Sequence, residues 1–214
     1  MLDVHGKIVV DIGIGDSTMR LADLGAVVIG IDREVEVANS LARRRKVAVI
    51  VSDLLFHPFR KRIADLVVFC FTLHEINPSL HVNVLSVARE IAPLVMIVEP
   101  SPHGCRTYEE YADIWRKAMH SIGKFEDYKP VEYWMRVLER SGFEILKAKK
   151  VEWRVDIPYR VFENLIENTI VKWRELNVEM KYITELEGLL ERVKREGIRW
   201  SDIHVLLAED KHSP

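Results

Sequence analysis

The sequence predicts an α/β protein built on a doubly wound, mostly parallel sheet, and three observations carry that prediction. Five short β-branched runs, apolar on both faces and too short for helices, recur through the first hundred residues. Amphipathic stretches of helical period separate them. The first run ends in an acid and two glycines, VVDIGIGDS (Val9 to Ser17), at the strand end where an open α/β sheet has its ligand crevice.

The runs are 7–12 (KIVVDI), 27–31 (VVIGI), 47–51 (VAVIV), 65–71 (DLVVFCF) and 94–98 (LVMIV), and helices are expected over 17–25, 34–44 and 79–92. The last of these has a clear start, with Asn77 as N-cap and Pro78 at the first helical position, where a missing N–H does no harm. Strand and helix alternating in this way imply right-handed crossovers in one sheet. After residue 100 the rhythm changes. Helical segments are expected over 107–122 and 131–141, the second stopping at Gly142, followed by a long strand over 143–157. Two further helices, 159–175 and 178–196, precede a last strand at 203–209; the second aligns Tyr182, Ile183, Leu186, Leu189, Leu190 and Val193 on one face and ends at Gly197.

Bulk composition limits the function classes. A chain of 214 residues buries one sizeable core, so one domain over 1–214 is expected. A formal net charge of −2 supplies no overall electrostatic case for nucleic acid or an anionic membrane. Basic clusters stand at Arg43 to Lys46 and Arg60 to Arg62; the first closes a helix, where cations complement the dipole, and reads as a solvated face. Cys70 and Cys105 lack disulfide or zinc-ribbon spacing, which fits a reducing, cytoplasmic setting. No apolar run approaches the roughly 18 residues that span a bilayer, and the N-terminus lacks the form of a signal peptide. Glutamine is absent while Glu, Lys and Arg abound, a bias of proteins from hot environments.

Two cofactor classes use a glycine turn after the first strand. A dinucleotide fold requires G-x-G-x-x-G, with pyrophosphate on the next helix N-terminus. Here Thr18 occupies the third glycine position, and Asp11 puts an anion near where phosphates would lie. The arrangement suits a ligand bearing an ammonium or sulfonium and no phosphate.

In these residues the chain resembles the class I S-adenosylmethionine-dependent methyltransferases, whose first motif is acid-x-Gly-x-Gly-x-Gly. Asp11, Gly13 and Gly15 match, and Ser17 stands for the third glycine. The resemblance implies a Rossmann-like sheet of seven strands with the last antiparallel, and helical insertions near 105–128 and 158–198. It implies further that Asp32, in GIDRE beside Arg33, receives the ribose hydroxyls, and that Asp53 contacts the adenine amino group with Leu54 beside the ring. Asp11, Asp32 and Asp53 fall at equal intervals, one per βα unit. FCFTLHEINP matches the substrate-facing motif after the fourth strand, with Phe71 at the cofactor; ERSGFEIL matches the approach to the sixth strand and IHVLLAE the antiparallel seventh.

The expected activity is methyl transfer from S-adenosylmethionine to a small-molecule acceptor. His74 is the candidate general base, with Glu75 second, because both follow the fourth strand at its carboxyl end. The chain begins on its first strand, leaving no N-terminal helices to roof the site. The roof is therefore expected from 105–128 and the pair 158–198, a candidate lid, with Tyr108, Tyr111, Trp115, Tyr159 or Trp173 lining the acceptor pocket. A nicotinamide-dependent oxidoreductase and a non-catalytic cofactor-binding module or partner subunit are the competing readings. No metal is expected, and the oligomeric state is left open, a homodimer included.

Overall fold

The computed structural model describes residues 2–35 and 47–212. Seven strands form one sheet: β1 (Ile8–Ile12), β2 (Val27–Asp32), β3 (Val47–Val51), β4 (Leu66–Cys70), β5 (Leu94–Pro100), β6 (Phe143–Val151) and β7 (Ile203–Asp210), in the order β3-β2-β1-β4-β5-β7-β6. β1 to β5 pair in parallel; β7 runs antiparallel between β5 and β6. The order reverses between β1 and β4, the place where an open sheet parts its connections and leaves a crevice.

The described helices are α1 (Asp16–Asp23), α2 (His81–Ile91), α3 (Arg106–Ser121), α4 (Val131–Arg140), α5 (Tyr159–Glu175) and α6 (Met180–Glu196). Apolar residues on both faces of the strands demand cover on both sides, and two core clusters supply it. One joins Val10, Val67, Phe69 and Ile97 to Leu85, Ala88 and Ile91 of α2 and to Trp134 and Leu138 of α4. The other, on the opposite face, joins Val9, Val28, Leu66 and Val68 to Leu21 of α1. A third cluster lies off the sheet, where α3, α5 and α6 bury Tyr108, Tyr111, Phe162, Trp173, Ile183, Leu186 and Leu189 against one another. Both helical insertions thus form one layer, and the Tyr108 hydroxyl ties it to the end of β5 by donating to the Ser101 carbonyl at 2.9 Å.

Two elements depart from the sequence reading. Asn77 does cap the segment before α2, its side chain accepting from Ser79 N, but the first turn, Pro78–Leu80, is a 3₁₀ turn and the α-helix begins at His81. The sixth strand stops at Val151, short of the expected 157. Past that point Trp153 N is taken by the Asp202 side chain and the indole N–H by Val155 O, so the alternation of 152–157 serves a local turn and not the ladder. The expected helix 34–44 and the basic cluster Arg43 to Lys46 fall largely or wholly outside the described residues. No described helix is long and apolar enough to cross a membrane.

Candidate active site

The carboxyl ends of β1, β2, β4 and β5 bring the predicted residues to one edge of the sheet. Gly13 sits at φ +82°, and a Cβ there would stand 2.5 Å from Thr72 Oγ1; this close passage of the β1 loop over the β4 loop is what requires glycine. Thr72 Oγ1 donates to Ile12 O at 2.8 Å, binding the two loops together.

Asp11 lies beneath the glycine loop, fully buried. Its Oδ2 accepts from Thr18 Oγ1 at 2.6 Å and Ser17 Oγ at 3.0 Å, and Thr18 Oγ1 accepts from Gly15 N. The hydroxyls at the third-glycine positions therefore brace the loop against the acid. Burial pushes the Asp11 carboxyl up to about 7, against the two hydroxyl hydrogen bonds that favour its charge. Its Oδ1 has no hydrogen-bond partner among the described residues. Asp32 receives Ile14 N at 3.0 Å and Glu34 N at 2.9 Å, which holds the first and second loops at a fixed separation. Asp53 caps a short 3₁₀ turn through Leu55 N at 2.9 Å and stands 3.8 Å from the Arg33 guanidinium. Leu54 does not stand free beside a ligand ring: it packs into the core under α2, while Phe56 of the same turn is 82 % exposed. Phe71 adopts φ +53°, a conformation a bulky residue enters only under constraint, and leaves its ring partly exposed at the end of β4.

Around His74 the structure adds residues that sequence reasoning missed. Glu99, the fully buried acid near the end of β5, accepts from Thr72 N at 3.0 Å and Leu73 N at 2.7 Å through one oxygen and meets His74 Nδ1 at 2.5 Å through the other. Glu126 lies 3.4 Å from His74 Nε2 and accepts the Tyr128 hydroxyl at 2.7 Å; the Tyr128 ring lies 5.0 Å from the imidazole. Asp127 N donates to His74 O at 2.8 Å, fastening this segment to the turn. His81 secures the turn from below, its Nε2 facing the carbonyls of Leu73 and Ile76 and its Nδ1 the Tyr133 hydroxyl.

Burial by itself would push His74 down, but Glu99 and Glu126 carry it up to about 10. Both ring nitrogens face carboxylates, Nδ1 that of Glu99 and Nε2 that of Glu126, and the two acids favour the charged ring. The sequence reading expects a general base at His74; the structure pairs both of its ring nitrogens with carboxylates. Glu75 is the exposed acid of the turn, and partial desolvation with the nearby Glu126, Glu99 and Asp32 charges holds its carboxyl above the usual range despite His74.

The expected pocket aromatics also stand elsewhere. Tyr108 and Tyr111 are buried in the helical layer, where Tyr111 meets Trp115 at 5.4 Å, Phe162 at 5.6 Å and Trp200 at 5.6 Å, and Trp115 meets Trp173 at 5.3 Å. Tyr159 is half-buried with the Lys194 ammonium 5.9 Å from its ring. Helical spacing made these core, and Tyr128, in the short segment after α3, is the aromatic placed against His74. A signal for Glu99 did exist: like Asp11 and Asp32, it is a lone acid closing an apolar strand. Nothing local marked Glu126 or Tyr128.

Comparison with known proteins places this geometry. Residues 10–95 match the family model described as a methyltransferase domain. No curated protein matches. Among solved structures, a SAM-dependent methyltransferase from Archaeoglobus fulgidus superposes with a TM-score of 0.61 at 16% identity, covering 97% of this chain and 88% of that one. The mycolic acid cyclopropane synthase CmaA1, complexed with SAH and CTAB, gives 0.63 at 12% identity over 96% and 79%. The [4+2]-cyclase SpnF gives 0.62 at 16% identity over 96% and 76%. At such identities the likeness establishes the fold.

Proposed function

We propose that this chain, whose residues 10–95 match a methyltransferase domain and whose fold is shared with S-adenosylmethionine-dependent methyltransferases, is a class I enzyme of that kind that binds S-adenosylmethionine and transfers its methyl group to a small-molecule acceptor. The observation that carries the reading is the set Asp11, Asp32 and Asp53 at three successive strand ends around the Gly13–Gly15 turn. Asp32 and Asp53 would receive ribose hydroxyls and the adenine amino group. Gly13 and Gly15 would let the backbone approach the amino-acid portion, and Phe71 would bound the sulfonium side. Asp11, inside the loop, would act through Ser17 and Thr18 and not by contact. A buried carboxyl braced by hydroxyls occupies the ground where a dinucleotide fold keeps its third glycine and its pyrophosphate, which counts against a nicotinamide enzyme.

Methyl transfer from a sulfonium is an in-line displacement. Holding acceptor atom, methyl carbon and sulfur in line supplies up to roughly 7–11 kcal/mol of the barrier reduction. In the chain's own terms, the His74–Glu99 pair and Asp127 N fix the β4 turn, and Glu75, with its raised carboxyl, is the group positioned to take a proton where the acceptor carries one. The helical layer closes the acceptor side through 125–128.

The likeness to SpnF favours a second reading, in which the scaffold holds an S-adenosyl ligand and runs a different reaction or none. One experiment separates the readings. Calorimetric titration with S-adenosylmethionine, S-adenosylhomocysteine, NAD and NADP should give binding to the two S-adenosyl ligands only, weakened at least about tenfold in Asp32→Ala, which deletes a charged hydrogen-bond acceptor. Binding of dinucleotides with silence toward S-adenosyl ligands overturns the proposal. Cofactor binding with no methylated product across an acceptor screen selects the second reading.

A further inference from the structure

We propose that His74, Glu75 and Glu126 form a binding site for a divalent transition-metal ion at the acceptor side of the crevice. Their ligand atoms, one nitrogen and two carboxylate oxygens, all lie within 4.8 Å of one another. The His74 Nε2 to Glu126 Oε1 separation is 3.4 Å. Two ligand atoms each about 2.1 Å from a tetrahedral ion stand roughly 3.4 Å apart, so this pair already spans one edge of such a site.

Independent of that spacing, the support behind the histidine has the form of a metal site. Glu99, buried and held by Thr72 N and Leu73 N, takes the Nδ1–H and thereby aims the opposite nitrogen at Glu126; a carboxylate behind a ligating imidazole sets its tautomer and raises its basicity. Tyr128 orients Glu126, and the bond from Asp127 N to His74 O fixes the two ligand-bearing segments to each other before any ion arrives. Glu75 is the exposed member of the three. On binding, the ion takes the place of the proton on Nε2, which leaves to solvent. One nitrogen and two oxygens suit Zn²⁺, Co²⁺ or Mn²⁺ better than Ca²⁺, which favours an all-oxygen shell.

Three protein ligands leave a position for water or an acceptor oxygen. With Glu75 on the ion, an acceptor O–H held there gives its proton to solvent in place of Glu75, and its oxygen lone pair forms the bond to the methyl carbon. The carbon–sulfur bond breaks with its electron pair returning to sulfur. This role rests on the methyl-transfer reading; metal binding does not.

The test uses full-length protein stripped with a chelator, with no cofactor present, titrated with Co²⁺ by visible absorption and then with Zn²⁺ in competition. One Co²⁺ per chain is expected, with a ligand-field spectrum of mixed nitrogen and oxygen coordination that Zn²⁺ abolishes. Glu126→Gln and Glu75→Gln, each checked for folding by thermal melting, should weaken binding at least about tenfold, and Asp53→Ala should leave it unchanged. No Co²⁺ or Zn²⁺ bound at millimolar concentration, or unchanged affinity in both glutamine variants, overturns the site whatever the cofactor titration shows.

Discussion

At the scale of the residue, the informative positions are those where a side chain or its absence settles a conflict. Gly13→Ala would carry a methyl group into Thr72 Oγ1 and occupy a φ of +82° that disfavours it, so a loss of about 1–3 kcal/mol is expected. Pairing it with Thr72→Ala should be less than additive, because the second change removes the clash; urea denaturation of the four proteins measures the coupling. Asp11 makes a sharper prediction. Burial raises its folded carboxyl to about 7 from an ordinary 3.8, so the folded state binds more protons in between. The contribution to stability is complete below about pH 3.8 and is lost as pH rises through about 7, worth up to roughly 4 kcal/mol. Asp11→Asn removes that slope. Its stability relative to wild type should rise between pH 4 and pH 8, and a constant difference over that range would show that burial does not control this acid. The acids at strand ends were legible because each breaks an apolar run. Glu126 was not legible, since its meaning comes from His74, 52 positions away, and only the folded chain brings the two together.

Elements were legible where one face of a periodic segment meets one core, and misread where a segment serves two purposes. The Pro78 turn shows the difference: cap and proline announced a helix start, but His81 must reach the carbonyls of Leu73 and Ile76, and the tighter 3₁₀ turn places it there. Likewise the aromatic stripe of α3 was visible, yet whether it faced a ligand or other helices depends on α5 and α6, which no local pattern reports. Leu186 of α6 is wholly buried in that layer, and Leu186→Ala should cost about 2–5 kcal/mol. Because the layer has its own core, the loss should appear first there. Hydrogen exchange is expected to show reduced protection in α3, α5 and α6 with β1, β4 and β5 unchanged; uniform loss across the sheet would mean that the layer and the sheet open as one unit.

Across the whole molecule, a parallel sheet with one strand reversed places the loops that follow β1 to β5 at one edge, and the helical layer joins that edge through the Tyr108 hydroxyl and the segment carrying Glu126 and Asp127. The strand runs could be read from the sequence and the reversed last strand from the family resemblance, but the order β3-β2-β1-β4-β5-β7-β6 came only with the fold, since periodicity is silent about which strands are neighbours. The helical pair has a property that only the folded chain reveals: Ile157 N donates to Ile198 O at 2.9 Å, so the segment between them leaves and rejoins the fold at a single point. Replacing 158–197 by a short Gly-Ser linker is therefore compatible with β6 and β7 keeping their register. It strips the apolar face of α3, the helix whose C-terminal extension carries Glu126 and Tyr128 to His74. Asp11, Asp32 and Asp53 make their contacts within and between the loops that follow β1, β2 and β3 and do not depend on that helix. The shortened protein should melt at lower temperature and bind S-adenosylhomocysteine within a few-fold of wild type, and it should lose product formation with any acceptor the full chain methylates. Loss of both binding and turnover with the sheet's circular dichroism intact would mean that the helical layer shapes the cofactor site itself. Retained turnover would free the acceptor side from the layer altogether and leave the β4 turn and its carboxylates as its whole wall.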